Sequence, residues 1–146
     1  MEKRQQLATV GSFSLLALLG FVTIFQQNFR TIQVQGNSMA PTFDDGSHLL
    51  ASSAYWLVGP IRKGDIVVVS DDNGGAIIKR VYRMAGERVD WLNVPEDYNM
   101  SDGEYVVPNQ SLYVLGDNRE VSEDSRRFGP VPYDRIIGKD VLKRWL

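Results

Sequence analysis

The chain has no cysteine, which excludes disulfides, a thiolate nucleophile and cysteine-based zinc sites, and requires a fold that is stable in oxidising and reducing compartments alike. It has one histidine, His48, so a serine–histidine–carboxylate triad would have to use that residue. His48 opens an expected strand in Ser47-His48-Leu49-Leu50 with no acid partner evident, which reads as an ordinary strand-edge histidine. There is no excess of charge of one sign: 16 Lys+Arg face 18 Asp+Glu, a formal −2, and this balance gives no case for nucleic acid as a partner. Internal repeats are absent, and 146 residues amount to about one domain. Nothing calls for a cofactor, and no metal site is expected.

One long stretch lacks charge altogether. Between Arg4 and Arg30 there is no ionisable side chain, and Leu7 to Phe25 is mostly Leu, Ala, Val, Phe, Ile and Gly. About 20 apolar residues span a bilayer core as a helix, whereas the apolar part of a cleaved signal is usually about 7–15 residues followed by a small-x-small site. Here Phe21-Val22-Thr23-Ile24-Phe25 is bulky and runs into Gln26-Gln27-Asn28. The expectation is an uncleaved transmembrane anchor over 5–29. Lys3 and Arg4 before it put the N-terminus in the cytoplasm, leaving 30–146 on the far side of the membrane.

The rest reads as strands. Expected strands are Thr31–Val34, Leu49–Ala51, Asp65–Val69, Ala76–Met84, Arg88–Leu92, Glu104–Val107, Ser111–Leu115 and Arg135–Ile137, separated by turns such as Asp72-Asn73-Gly74-Gly75 and Pro108-Asn109. Many short strands at this spacing indicate a barrel or sandwich. No long amphipathic helix follows the anchor, and the polar Pro95–Gly103 stretch reads as a surface connection.

Two residues suggest chemistry. Ser38 lies in the turn Gln35-Gly36-Asn37-Ser38-Met39-Ala40-Pro41 between short apolar runs, and as a nucleophile it would need a base within reach and donors for an oxyanion. Lys79, in Ala76-Ile77-Ile78-Lys79-Arg80-Val81-Tyr82, sits where a strand should be largely buried. Burial disfavours the ammonium and suits a neutral general base; the alternative is a lysine that snorkels out of a half-buried strand.

Three blocks in order resemble the signatures of the bacterial type I signal peptidases: Gly36-Asn37-Ser38-Met39-Ala40-Pro41-Thr42; Ile78-Lys79-Arg80-Val81; and Gly116-Asp117-Asn118-Arg119 with Ser122-Glu123-Asp124-Ser125-Arg126-Arg127-Phe128-Gly129. The resemblance implies an all-β catalytic domain, a signal-peptidase-like β barrel or sandwich, with one N-terminal transmembrane helix. The gap between the lysine block and the Gly-Asp-Asn block is too short for the extra β domain of many Gram-negative relatives.

It also implies roles. Ser38 would be the nucleophile and Lys79 the general base. Ser122 would hydrogen-bond the lysine, Asp117 would pair with Arg80, and Asp124 with Arg126. Some relatives have a serine donor two residues before the nucleophile, where this chain has Gly36, so the oxyanion is expected on the backbone N–H of Ser38. Ile32, Val34, Met39, Phe43, Ile77 and Ile78 match positions that line two shallow pockets for small side chains at −1 and −3 of a precursor, although barrel core is an equally good reading of each. The implied partners are exported preproteins, bound extended beside a strand, and membrane lipid of a plasma or thylakoid-type membrane.

Leu49 to Val58, ending in Tyr55-Trp56-Leu57-Val58, is apolar enough for either an interfacial patch or a buried strand and turn. Trp91 and Trp145 read as core or surface packing. Two other classes fit part of the chain: a self-cleaving repressor-type serine–lysine protease, against which the anchor argues, and a non-catalytic membrane-tethered β domain that binds extended peptides.

Overall fold

The computed structural model of the chain describes residues 2–142, with side chains from residue 11 onward. Trp145 lies outside these residues. A helix, α1 (Glu2–Asn28), leads directly into β1 (Phe29–Gln33). Strands β2 (His48–Ser52), β3 (Ile66–Ser70), β4 (Ala76–Arg83), β5 (Ser111–Leu115), β6 (Val131–Pro132) and β7 (Ile136–Asp140) follow, with one-turn helices α2 (Tyr55–Val58) and α3 (Ser125–Phe128).

The strands form one antiparallel sheet in the order β1-β2-β7-β3-β4-β5-β6. The β-branched run of β3 is buried on both faces, which is why it sits centrally. Ile66 and Val68 join Val34, Met39, Leu49 and Ile78 on one face, while Val67 and Val69 join Val81, Leu112 and Val114 on the other. A third cluster around Tyr113 and Leu115 packs Val89 and Val107 under the 84–107 excursion.

The sheet curls, and the curl makes the site. β1 pairs only with β2, so its outer edge is open. β5 pairs with β4 only from Arg80 onward, so Ala76 to Lys79 also keep an open edge. Three strands separate β1 from β4 in the sheet, yet residues of both line one cleft. The two open edges therefore face each other, and the expected barrel or sandwich takes the form of a half-barrel with a slot along its side.

Two expected strands do not form. Arg88–Leu92 and Glu104–Val107 are reduced to a single bridge between Arg88 and Val106. Asp90 explains this: its carboxylate is bonded by Tyr82 Oη and by Asn93 Nδ2, and Asn93 N–H donates to Asp90 O, so the chain turns where the ladder should continue. The stretch 49–58 divides between its two readings. Leu49 and Ala51 are buried strand, whereas Trp56 and Leu57 of α2 are 76% and 60% exposed. Trp91 is on the surface.

Of the expected anchor, residues 5–10 lie outside the described side chains. Among the described residues no helix is long and apolar enough to cross a membrane.

Candidate active site

Ser38 and Lys79 meet across the end of the slot. Lys79 stands on β4 opposite Val67 of β3, is 3% exposed, and its Nζ lies 2.9 Å from Ser38 Oγ as donor. Burial lowers the Lys79 amine below the ordinary lysine value, against the opposing pull of the Asp124 and Glu123 carboxylates. The turn that offers Ser38 is held by its own backbone, with Ala40 N–H on Asn37 O and Phe43 N–H on Met39 O. It is also held from the third block, where Asn118 N–H donates to Ser38 O at 3.0 Å. Ser38 N–H has no acceptor among the described residues.

Gly36 enters that turn with φ +77° and its N–H on Asp45 Oδ1 at 2.7 Å. A serine at this position would be strained by the left-handed backbone, so glycine here reflects the turn itself rather than a missing donor.

The two expected ion pairs form. Arg80 grips Asp117 through Nε–Oδ1 at 2.7 Å and Nη2–Oδ2 at 2.6 Å, and Thr42 Oγ1 donates to the same Oδ2 at 2.6 Å. Burial alone would raise the Asp117 carboxyl, but the bonds from Arg80 and Thr42 outweigh it and hold the group below the usual carboxylate range. Asp124 is fully buried and accepts Arg126 Nε at 2.9 Å, Arg126 Nη2 at 3.0 Å and Gly116 N–H at 2.9 Å. Here too burial pushes the carboxyl up, and the Arg126 and Gly116 bonds bring it below its ordinary value.

The Arg80–Asp117–Thr42 knot ties the lysine strand and the third block to the segment just after the nucleophile. If the knot is a unit, Asp117→Ala and Arg80→Ala should each cost about 1–3 kcal/mol, discounted for the partial exposure of the pair, and the double variant should cost no more than about the larger of the two. The test is denaturant unfolding at pH 7. A depressed folded-state carboxyl contributes stability above its unfolded value near 3.9 and loses it as pH falls through the folded value, so the coupling should vanish in acid. Additive losses at pH 7 would refute the knot.

Other expectations land differently. Ser122 Oγ does not bond Lys79; it is buried against Gly116, makes no hydrogen bond of good geometry among the described residues, and faces Asp124, whose carboxyl it helps to hold down. Gly116 opens the third signature block, but the sequence assigned it no role of its own. A Cβ there would stand 2.1 Å from Ser122 Oγ and 2.6 Å from Ser38 O, so no side chain fits. Thr42 was likewise missed as a member of the Asp117 knot. His48 is exposed at the start of β2, paired in register with Gln33, and does not line the slot.

The slot is a cleft of about 310 Å³ that runs from Ser38 and Lys79 to Ile32 and Ala76. Ile32, Val34, Met39, Ile77 and Ile78 all line it; Phe43 does not, being 3% exposed in the core beneath.

The chain is similar to known proteins. A family model described as signal peptidase, peptidase S26 matches residues 7–94 and 92–145. Signal peptidase IB of Staphylococcus aureus (strain COL) is 31% identical over 77% of this chain and 75% of its own, and signal peptidase I of Bacillus caldolyticus is 32% identical over 80% of each. The crystal structure of a signal peptidase I from Enterococcus faecalis V583 is similar over 55% of this chain and 96% of that one, with 24% identity and a TM-score of 0.43.

Proposed function

The chain belongs to the signal peptidase family, peptidase S26, and from that premise we propose that it is a membrane-anchored serine endopeptidase that removes signal peptides with Ser38 as nucleophile and Lys79 as general base. The observation that carries the reading is the 2.9 Å contact between Lys79 Nζ and Ser38 Oγ at the end of a slot with two open strand edges.

In the reaction, neutral Lys79 takes the hydroxyl proton as Ser38 Oγ attacks the scissile carbonyl. The oxyanion lies on Ser38 N–H. Collapse breaks the C–N bond, Lys79 returns the proton to the leaving amine, and an acyl-enzyme remains. Water, deprotonated by the same amine, then releases the signal peptide. Among the props, Asp117, Arg80, Asp124 and Arg126 fix the turn and the strand, and Ser122 supports the site by packing on Gly116.

The precursor fits as an added strand in the slot, bonding the open edges of β1 and of Ala76 to Lys79. Side chains at −1 and −3 then point inward toward Val34, Ile78 and Ile32. These side chains leave room only for small groups.

The anchor spans 5–29, and the catalytic domain of 30–146 lies on the extracytoplasmic side. Support comes from the uncharged run between Arg4 and Arg30 and from the exposure of Phe13, Leu16, Leu19, Phe21 and Ile24 on α1, which only lipid or another apolar surface would cover. Trp56 and Leu57 fit the same bilayer surface.

The test is to incubate the full chain, in detergent or lipid, with a preprotein and to sequence the N-terminus of the product. The expected cut follows a small-x-small motif and is lost when the −1 alanine becomes phenylalanine. Absence of cleavage, or cleavage indifferent to −1, would overturn the reading.

A further inference from the structure

A second cavity, of about 230 Å³, lies at the foot of α1 and includes Asn28, Arg30, Ala51, Ser70 and Arg135 in its lining. It is continuous with the slot in register. Along β1 the inward face carries Val34, Ile32 and then Arg30, since alternate residues share a face. Ala51 continues the face of Leu49, and Ser70 continues that of Ile66 and Val68. Ser70 is moreover the register partner of Ala76, the far end of the slot.

From this we infer that the cavity is a polar subsite for the precursor residue at −5, with Arg30 as its specificity-determining side chain and an acidic side chain as its preferred occupant. The subsite rests on the peptidase reading above, and its direction follows from geometry. The scissile carbonyl must sit at Ser38, beyond Val34, so −1 is nearest Val34. A strand with −1 and −3 in one slot runs on past Ile32. Its side chains repeat every two residues, as those of β1 do, so −5 falls opposite Arg30. Residues −2 and −4 point to the other face.

One of the charges, Arg30, favours an acid. Arg30 is exposed and makes no ion pair or side-chain hydrogen bond among the described residues. The Arg135 guanidinium is already engaged by Asp72 at 2.5 Å, and Ser70 Oγ donates to Arg135 O at 3.1 Å. Asp134 also lines the cavity, so with Asp72 the two aspartates balance the two arginines, and the preference for an acid rests on position: Arg30 stands on β1, the edge strand that the precursor joins, whereas Asp134 stands just before β7. The position is also where the precursor must leave the domain. Asn28 closes α1 and lines the same cavity, so a chain passing Arg30 next meets the level at which the anchor leaves the domain.

The test uses the full chain in detergent at low ionic strength with peptides that share one small-x-small site and differ only at −5 (Asp, Gln or Lys) or, as a control, at −4. Wild type should cleave the Asp peptide about 1.5- to 5-fold faster in kcat/KM than the Lys peptide, the range expected for one exposed charge pair. Arg30→Gln should flatten the ratio and Arg30→Glu should invert it, with the −4 series unaffected. Each ratio is taken within one variant, so a loss of folded protein cancels. An Asp/Lys ratio at −5 that is the same in wild type and Arg30→Glu overturns the subsite and leaves the peptidase reading intact. Failure of wild type to cleave any peptide overturns both.

Discussion

Replacing Ser38 by alanine is expected to lower the rate of preprotein cleavage by about 10³-fold or more, because among the described residues no other hydroxyl hydrogen-bonds Lys79 to form the acyl-enzyme. The hydroxyl itself does little for the fold. Its one hydrogen bond is to Lys79 Nζ, whereas the turn is fixed by Asn118 N–H on Ser38 O and by the Phe43–Met39 backbone bond. Removing it should therefore change stability by no more than about 1 kcal/mol, about 2–4 °C in melting temperature. Rate and melting curve should be measured on the same preparation. Retained cleavage in a folded Ser38→Ala protein would remove the nucleophile assignment. His48→Ala is the companion control, and because His48 lies outside the slot its turnover should stay within a few-fold of wild type.

What the sequence revealed, and what it hid, follows from the range of the interactions. β3 and β4 were legible because Ile66-Val67-Val68-Val69 and Ile77-Ile78 are local patterns that mark buried strands. β6 was not, since Pro130 and Pro132 flank Val131 and read as breakers, although a two-residue edge strand tolerates them. Asp90 turned an alternating segment aside through side-chain bonds that no periodicity reports.

Within the site, Ser38 and Lys79 were named from motif and burial, but burial alone would have been a poor guide. Lys139 is also buried in a strand, at 1% exposed, and it is a tie rather than a base: its Nζ donates to Pro60 O at 2.9 Å and to Asp65 Oδ2 at 3.2 Å. Lys79 has a hydroxyl instead. Thr42 and Gly116 were hidden because their importance lies in contacts across 75 and 6 residues of chain, which only the fold brings together.

Lys79→Met should separate the chemistry from the stability. The methionine keeps most of the length and none of the basicity, so cleavage should fall by about 10³-fold or more, and Lys79→Arg should be equally inactive because a guanidinium does not deprotonate in a protein. Stability should move the other way. The folded-state amine lies below the unfolded value near 10.4, so the unfolded chain binds more protons between the two values and stability rises with pH across that window. Below the window both states are protonated, and the folded protein carries the full cost of burying an ammonium. At pH 7, Lys79→Met should therefore melt a few degrees higher than wild type, about 2–4 °C for each kcal/mol relieved, and the difference should shrink to nothing above about pH 10.4. In the wild type the acid limb of kcat should have its midpoint below that of a free lysine. Glu123→Gln removes an exposed carboxylate that holds the amine up, so it should move the limb to still lower pH. A limb at or above 10.4, or a Lys79→Met protein that melts lower than wild type at pH 7, would show that the buried amine is held as an ammonium and cannot be the base.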